Sequence, residues 1–75
     1  IKVFPNPTKE YVNIQSPNLV IENIIITDVV GRTVLQQIPN NNRNIQLNIN
    51  DLKTGVYYLQ LETEKGKVVR KLVVL

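Results

Sequence analysis

The side chains that could perform hydrolytic or transfer chemistry are few in this sequence. It has no His and no Cys, and its one serine, Ser16, lies beside Pro17 in a predicted loop. A nucleophile, a base and an orienting acid therefore cannot be assembled. Glu62 and Glu64 are two residues apart, which places them on one solvated strand face, whereas a glycosidase needs two carboxylates facing each other across a cleft. We expect a protein that is not an enzyme.

Ligands for metals and cofactors are equally scarce. Without His or Cys, a structural zinc site is excluded. Asn48, Asn50 and Asp51 faintly resemble a calcium loop, but Leu52 stands where a ligand is needed and no Glu closes the loop. The three glycines are far apart and form no loop that could hold a phosphate. We expect neither a metal nor a cofactor.

Charge and hydropathy restrict the possible partners. The formal net charge is +3, with basic residues gathered at Lys65, Lys67, Arg70 and Lys71. This cluster could contact nucleic acid, but lysines on edge strands also prevent association between sheets, and few aromatic rings are available for base stacking. No apolar run approaches the roughly 20 residues of a membrane span. We therefore expect neither nucleic-acid binding nor direct membrane insertion.

The aromatic residues could form a carbohydrate-binding platform or belong to the core. Phe4 and Tyr57 are best explained as core anchors, whereas Tyr11 and Tyr58 are predicted to face outward. Two tyrosines that can lie on different sheets are weak support for a row of rings on which sugars would stack. Core packing is the favoured role for the first pair.

Period-two alternation of apolar and polar residues dominates the chain and predicts β-strands. Ile45, Leu47 and Ile49, for example, share one face. No stretch of ten residues shows a helical apolar stripe bounded by helix caps. The pattern predicts an all-β fold, namely a small antiparallel, Ig-like β-sandwich of about seven short strands. The predicted strands span residues 1–4, 11–15, 24–27, 33–38, 45–49, 57–62 and 68–75.

One continuous core follows from this alternation. If Leu72 and Val74 face inward, strict alternation also turns Arg70 inward, so either a bulge intervenes or Arg70 lies at the rim with its guanidinium in water. The predicted core comprises Phe4, Val12, Ile14, Ile26, Ile45, Leu47, Ile49, Leu52, Tyr57, Leu59, Leu61, Leu72 and Val74.

Prolines and glycines punctuate the strands. Pro5 and Pro7 flank Asn6 and predict a rigid corner, because each proline fixes its own φ and restricts the preceding residue. Gly31 is expected to take positive φ in a turn over Asp28–Arg32, and Gly55 is expected to permit a second turn. Residues 39–43 form a predicted polar loop.

Four segments, in their order and spacing, are typical of one family. They are Val3-Phe4-Pro5-Asn6-Pro7-Thr8, Ile26-Thr27-Asp28-Val29-Val30-Gly31-Arg32, Leu52-Lys53-Thr54-Gly55-Val56-Tyr57 and Lys71-Leu72-Val73-Val74. Together they resemble the type A C-terminal sorting domain of proteins exported by the type IX secretion system of gram-negative bacteria, and the resemblance covers effectively the whole chain. Most of the motif positions have structural explanations, in particular Pro5, Asn6, Pro7, Asp28, Gly31, Arg32, Leu52, Gly55 and Tyr57.

The resemblance implies a signal made of folded structure. The cargo would cross the inner membrane with an upstream signal peptide, and this domain would fold in the periplasm. The outer-membrane translocon and shuttle proteins would recognise it, and a sortase would remove it. The cargo would then be secreted or attached to the cell surface. No Met is present, so we expect residues 1–75 to be the single C-terminal domain of a longer protein, with the cargo N-terminal to it.

Recognition is expected at the end of the last predicted strand, where Lys71 should face out. The candidate positions are Lys71, Leu72, Val73, Val74 and Leu75, whose backbone groups could serve as a ladder for a docking partner. The alternative is a permanent Ig- or fibronectin-like accessory module, or a carbohydrate-binding module, of a secreted enzyme or adhesin.

Overall fold

The computed structural model describes residues 1–40 and 43–75; within the predicted polar loop, Asn41 and Asn42 lie outside the described residues. The described residues form seven strands, which confirms the predicted number and the all-β class. They are β1 (Lys2–Phe4), β2 (Tyr11–Gln15), β3 (Ile21–Thr27), β4 (Thr33–Gln37), β5 (Asn44–Asn48), β6 (Gly55–Thr63) and β7 (Gly66–Val74).

The strands form two antiparallel sheets that pack face to face as a β-sandwich. One sheet has three strands in the order β1-β2-β5, and the other has four in the order β4-β3-β6-β7. The chain changes sheet after β2, after β4 and after β5, so strands that follow each other in sequence often lie in different layers. This pattern is shared by Ig-like sandwiches, as predicted.

The alternating apolar residues of both sheets meet in one core. Most of the predicted core positions are buried, but Phe4 is 39% exposed, so its placement in the core is wrong. Val3 is the inward residue of β1, because it lies opposite the buried Ile14 and packs against the core. The buried apolar residues are Val12, Ile14, Ile21, Ile24, Ile26, Ile45, Leu47, Ile49, Tyr57, Leu59, Leu61, Leu72 and Val74.

Strand β3 buries two residues that the predicted core omitted, Ile21 and Ile24. They are three positions apart, an odd spacing that would place them on opposite faces of a regular strand. The ladder between β3 and β6 shifts register between Ile21 and Asn23, and this irregularity turns both isoleucines inward. Ile24 shares the face of Ile26, whose burial was predicted, whereas Ile21 lies outside the predicted strand 24–27.

Arg70 lies at the rim, one of the two alternatives left open by the sequence. The β6–β7 ladder has no register shift, so Arg70 is directly opposite the buried Leu59 and belongs to the inward-facing row. Its side chain is nevertheless exposed.

Leu52 is half-buried and packs against the edge of the core, close to its predicted position.

The connection between β5 and β6 is closed by a hydrogen bond from Tyr57. Its hydroxyl donates to the carbonyl of Lys53 at 2.7 Å, while the ring is buried in the core. This is the tyrosine corner seen in many Ig-like sandwiches. Gly55 is nearly fully extended, with φ of +159°, and begins β6 opposite Val74. The motif Leu52–Tyr57 therefore has a structural role.

We predict that Tyr57→Phe lowers the free energy of unfolding by about 0.5–1.5 kcal/mol, because a part-buried hydrogen bond is lost while the ring stays in place. Tyr58→Phe is the matched control, since Tyr58 is the next residue and lies exposed on the other face. Urea denaturation followed by circular dichroism measures both variants. Equal stability of the two would contradict a structural role for the Tyr57 hydroxyl.

Candidate recognition site

The corner at Pro5–Pro7 is hydrogen-bonded to the last strand. The Asn6 side chain acts as a short strand would, because Nδ2 donates to the carbonyl of Lys71 at 2.8 Å and Oδ1 accepts from the N–H of Val73 at 3.0 Å. Both X-Pro peptide bonds of the corner are cis. Residues near the start of the chain thus occupy backbone groups near its end.

Thr8 continues this contact with its own backbone. Its N–H donates to the carbonyl of Val73 at 2.9 Å, and its carbonyl accepts from the N–H of Leu75 at 2.8 Å. A parallel bridge to Val74 results, and the buried Thr8 side chain donates to the carbonyl of Tyr11. We call residues 6–8 the clasp, since they cover the outer edge of β7 from residue 71 to residue 75.

The clasp changes what residues 71–75 can offer a partner. Leu72 and Val74 are buried in the core, and Val73 is half-buried. Lys71 is exposed, as predicted, and the Leu75 side chain is 58% exposed. A free backbone ladder along this segment was expected, and that expectation is wrong, because Asn6 and Thr8 already bond to its outward N–H and C=O groups.

The turn between β3 and β4 is held by the carboxylate of Asp28. Oδ1 accepts from the N–H groups of Val30 at 3.0 Å and Arg32 at 2.9 Å, and Oδ2 pairs with Nε of Arg32 at 2.8 Å. The backbone N–H of Asp28 also donates to the carbonyl of Arg32 at 2.9 Å. Gly31 has φ of +94°, which confirms its predicted turn conformation and explains the preference for glycine there.

These contacts favour the charged form of Asp28. Its pKa lies below the ordinary value, chiefly because the backbone N–H of Arg32 bonds to the carboxylate. The side-chain hydrogen bond from Arg32 and the N–H of Val30 act in the same direction. These bonds hold a turn that exposes two valines, with Val29 69% and Val30 80% exposed.

Two of the four motif segments meet at one end of the sandwich. The turn at Asp28–Arg32 and the connection at Asp51–Tyr57 line one open cavity of about 530 Å³. The other two segments meet through the clasp, at the edge of β7. The fold thus brings the motifs together in pairs, and Asp28, Gly31 and Tyr57 have structural tasks within them.

The groups considered for catalysis have structural partners. The hydroxyl of Ser16 is buried and donates to the carbonyl of Leu19 at 2.6 Å. Glu62 accepts from the Asn23 side chain at 2.8 Å, and Glu64 accepts from the N–H of Val20 at 3.1 Å. Each of these contacts fixes one end of strand β3 or the loop before it.

The calcium-like residues and the aromatic residues are placed as follows. Oδ1 of Asn48 accepts from the N–H of Asn50 at 2.9 Å and thereby stabilises a local turn. Within residues 1–40 and 43–75 there is no group of three or more acidic, His or Cys side chains that could hold a metal ion.

Tyr11 and Tyr58 are exposed on different sheets, whereas Phe4 shares the three-stranded sheet with Tyr11. No helix in the described part of the chain is long and apolar enough to span a membrane.

The clasp is the contact that sequence reasoning missed. The Pro-Asn-Pro-Thr segment was recognised as a rigid corner, but the pairing of Asn6 with residues 65 and 67 positions away produces no local periodicity. Its only signal was an asparagine between two prolines, with a side-chain amide that can donate and accept like a peptide group.

Comparison with known proteins assigns the family. A family model described as "Secretion system C-terminal sorting domain" matches residues 2–75. No curated protein matched the chain. The chain belongs to the family of secretion system C-terminal sorting domains, here those of the type IX system.

We predict that Asn6→Ala destabilises the domain by about 1–2 kcal/mol, because two hydrogen bonds to the β7 backbone are lost at once. Asn18→Ala, at an exposed loop position, is the control and should change stability by less than about 0.5 kcal/mol. Urea denaturation of both variants is the measurement. Indistinguishable midpoints would show that the Asn6 bonds do not hold the strand.

Proposed function

We propose that this sorting domain is a folded recognition signal, which the outer-membrane translocon and its shuttle proteins bind and which a sortase then removes. A sorting-signal domain is not catalytic, and it acts on a cargo linked to its N-terminus that becomes secreted or attached to the cell surface. The observation that supports a folded signal is the clasp, because it joins the first and last motif segments into one structure. In this proposal residues 1–75 form a single domain, which folds in the periplasm.

The clasp limits how the end of β7 could be recognised. Of the candidate residues, only Lys71 and Leu75 present exposed side chains, since Leu72 and Val74 are in the core. The carbonyl of Lys71 is bonded to Asn6, so the strand that bears its ammonium group is held in a fixed position. We therefore assign recognition here to the Lys71 side chain and its exposed neighbour Leu75, with an acidic group on the receptor facing the lysine.

A second candidate function is supported by the outer face of the three-stranded sheet. Phe4 and Tyr11 are exposed there, and Asn13 lies opposite Phe4 in the ladder, beside Gln46. Aromatic rings together with neutral amides suit a carbohydrate, which would make the domain a permanent accessory module. The two functions differ in one observable: a permanent module stays on the mature protein, whereas a sorting signal is removed.

The proposal predicts export of a reporter that carries Ile1–Leu75 at its C-terminus. In a host with the type IX system, the reporter should leave the periplasm without the domain, and in a translocon-deficient strain it should remain there intact. Lys71→Ala should reduce export about tenfold, the loss expected when one central interface contact is truncated. Lys67→Ala is the matched control, because Lys67 is exposed on the same strand outside the clasp.

Immunoblots of periplasm and medium, with circular dichroism of each variant, separate the outcomes. If folded Lys71→Ala is exported like wild type, Lys71 is not a recognition residue. If the wild-type domain directs no translocon-dependent export and stays on the reporter, the sorting function is wrong and the accessory-module function takes its place.

A further inference from the structure

The outer edges of strands β7 and β5, on opposite sides of the sandwich, differ in how they are covered. On one side the clasp covers the end of β7, and Lys67 and Lys71 lie along the same strand. On the other side, β5 pairs with β2 alone, and no strand in the described part of the chain pairs with its outer edge. Residues 44–50 contain no charged residue and no proline, the two usual forms of edge protection.

Hydrogen bonds at the two ends of the β2–β5 ladder show which residues face β2. The N–H of Ser16 donates to the carbonyl of Arg43 at 2.7 Å, and the N–H of Ile49 donates to the carbonyl of Glu10 at 2.9 Å. Hydrogen-bonded and non-hydrogen-bonded pairs alternate along an antiparallel ladder. Every second residue from 43 to 49 therefore directs its backbone groups toward β2.

The intervening residues face the open edge. Gln46 and Asn48 direct their N–H and C=O groups away from β2, where no strand of the described chain meets them. Five consecutive residue pairs join β2 to β5 without a register shift, so this edge is regular. Among the described residues, no strand pairs with the outer edge of β4 either, but the ladder of β4 shifts register beside Val34, and such bulges hinder strand pairing.

Strand β4 overhangs the open edge. The clasp joins β7 to the β1–β2 side of the molecule, so β5 lies on the side of β4, and residues of both line one cavity of about 180 Å³. Four strands facing three leave β4 without a strand opposite it in the described chain. Leu35, its inward residue, is only half-buried, and the inward Gln37 is exposed.

We propose that the edge of β5, beneath β4, binds one extended and uncharged segment of a protein of the export machinery by β-strand addition. The proposal rests on the sorting function above. Such a segment would bond to the N–H and C=O groups of Gln46 and Asn48 and would complete the three-stranded sheet. Its alternate side chains would face Leu35, which calls for apolar residues there, over about the five residues of β5.

The overhang favours a lone strand over a second copy of the chain. Two copies paired antiparallel through β5 would be related by a two-fold axis perpendicular to the sheet. The β4 strand of each copy would then occupy the space of the other copy's β3. A single extended segment brings no second sheet with it, so nothing in it would occupy the space of β4.

Gln46→Pro is the direct test. Proline removes the outward N–H and adds a ring at the open edge, yet it breaks no bond to β2, and edge strands tolerate proline at such positions. Gln46→Ala is the matched control, since it keeps the N–H. A second pair, Gln37→Lys and Gln37→Ala, places a charge or a methyl group under the overhang at an exposed position where folding should be unaffected.

In the reporter assay, we expect Gln46→Pro and Gln37→Lys to reduce translocon-dependent export about tenfold or more. The two alanine variants keep the outward N–H of Gln46 and add no charge at Gln37, so each should retain more export than the variant with which it is paired. Sedimentation equilibrium should show that the isolated wild-type domain is a monomer. Circular dichroism verifies the fold of each variant, and Gln37→Lys decides the matter if Gln46→Pro does not fold.

Three results would overturn the proposal. Folded Gln37→Lys and Gln46→Pro variants exported like wild type would remove the edge site and leave the sorting function standing. A wild-type dimer that Gln46→Pro dissociates would identify a second copy as the occupant. Failure of wild-type export would refute the sorting function on which the proposal rests.

Discussion

The structure depends on the hydrogen bonds that join Asn6 and Thr8 to β7. A domain of 75 residues buries a smaller share of its surface than a larger one does, and this chain has no cysteine with which to form a disulfide. Its last strand supplies Leu72 and Val74 to the core while lying at the edge of a sheet. The clasp bonds to outward N–H and C=O groups of residues 71–75, so the end of this edge strand is hydrogen-bonded on both sides.

The same bonds bring motif segments that are distant in the sequence into contact. The motif segments at the two ends of the sequence meet at one edge, and the two middle segments meet at one end of the sandwich. The carboxylate of Asp28 holds a turn and the hydroxyl of Tyr57 closes a corner, so both motif residues stabilise the fold. A receptor would then bind exposed side chains and the unpaired backbone groups of an edge strand, whose positions are fixed by the fold that the motifs stabilise.

Alternation predicted the fold class, the number of strands and most of the core, because a strand that buries one face must repeat every two residues. The alternation failed where a strand was too short to show it or where a register shift interrupted it. Strand β1 has three residues, too few to decide between Val3 and Phe4, and the register shift in β3 concealed Ile21. The clasp was beyond such reasoning, since its partners are more than 60 residues apart and one of them is a side chain.

Residue-resolved amide hydrogen exchange of the isolated domain tests most directly the claim that one edge is sealed and the other open. The N–H groups of Val73 and Leu75 should exchange slowly, because Asn6 and Thr8 accept their hydrogen bonds. Those of Gln46 and Asn48 should exchange rapidly, because they face the open edge of β5. Rapid exchange at Val73 and Leu75, with protection at Gln46 and Asn48, would contradict the account.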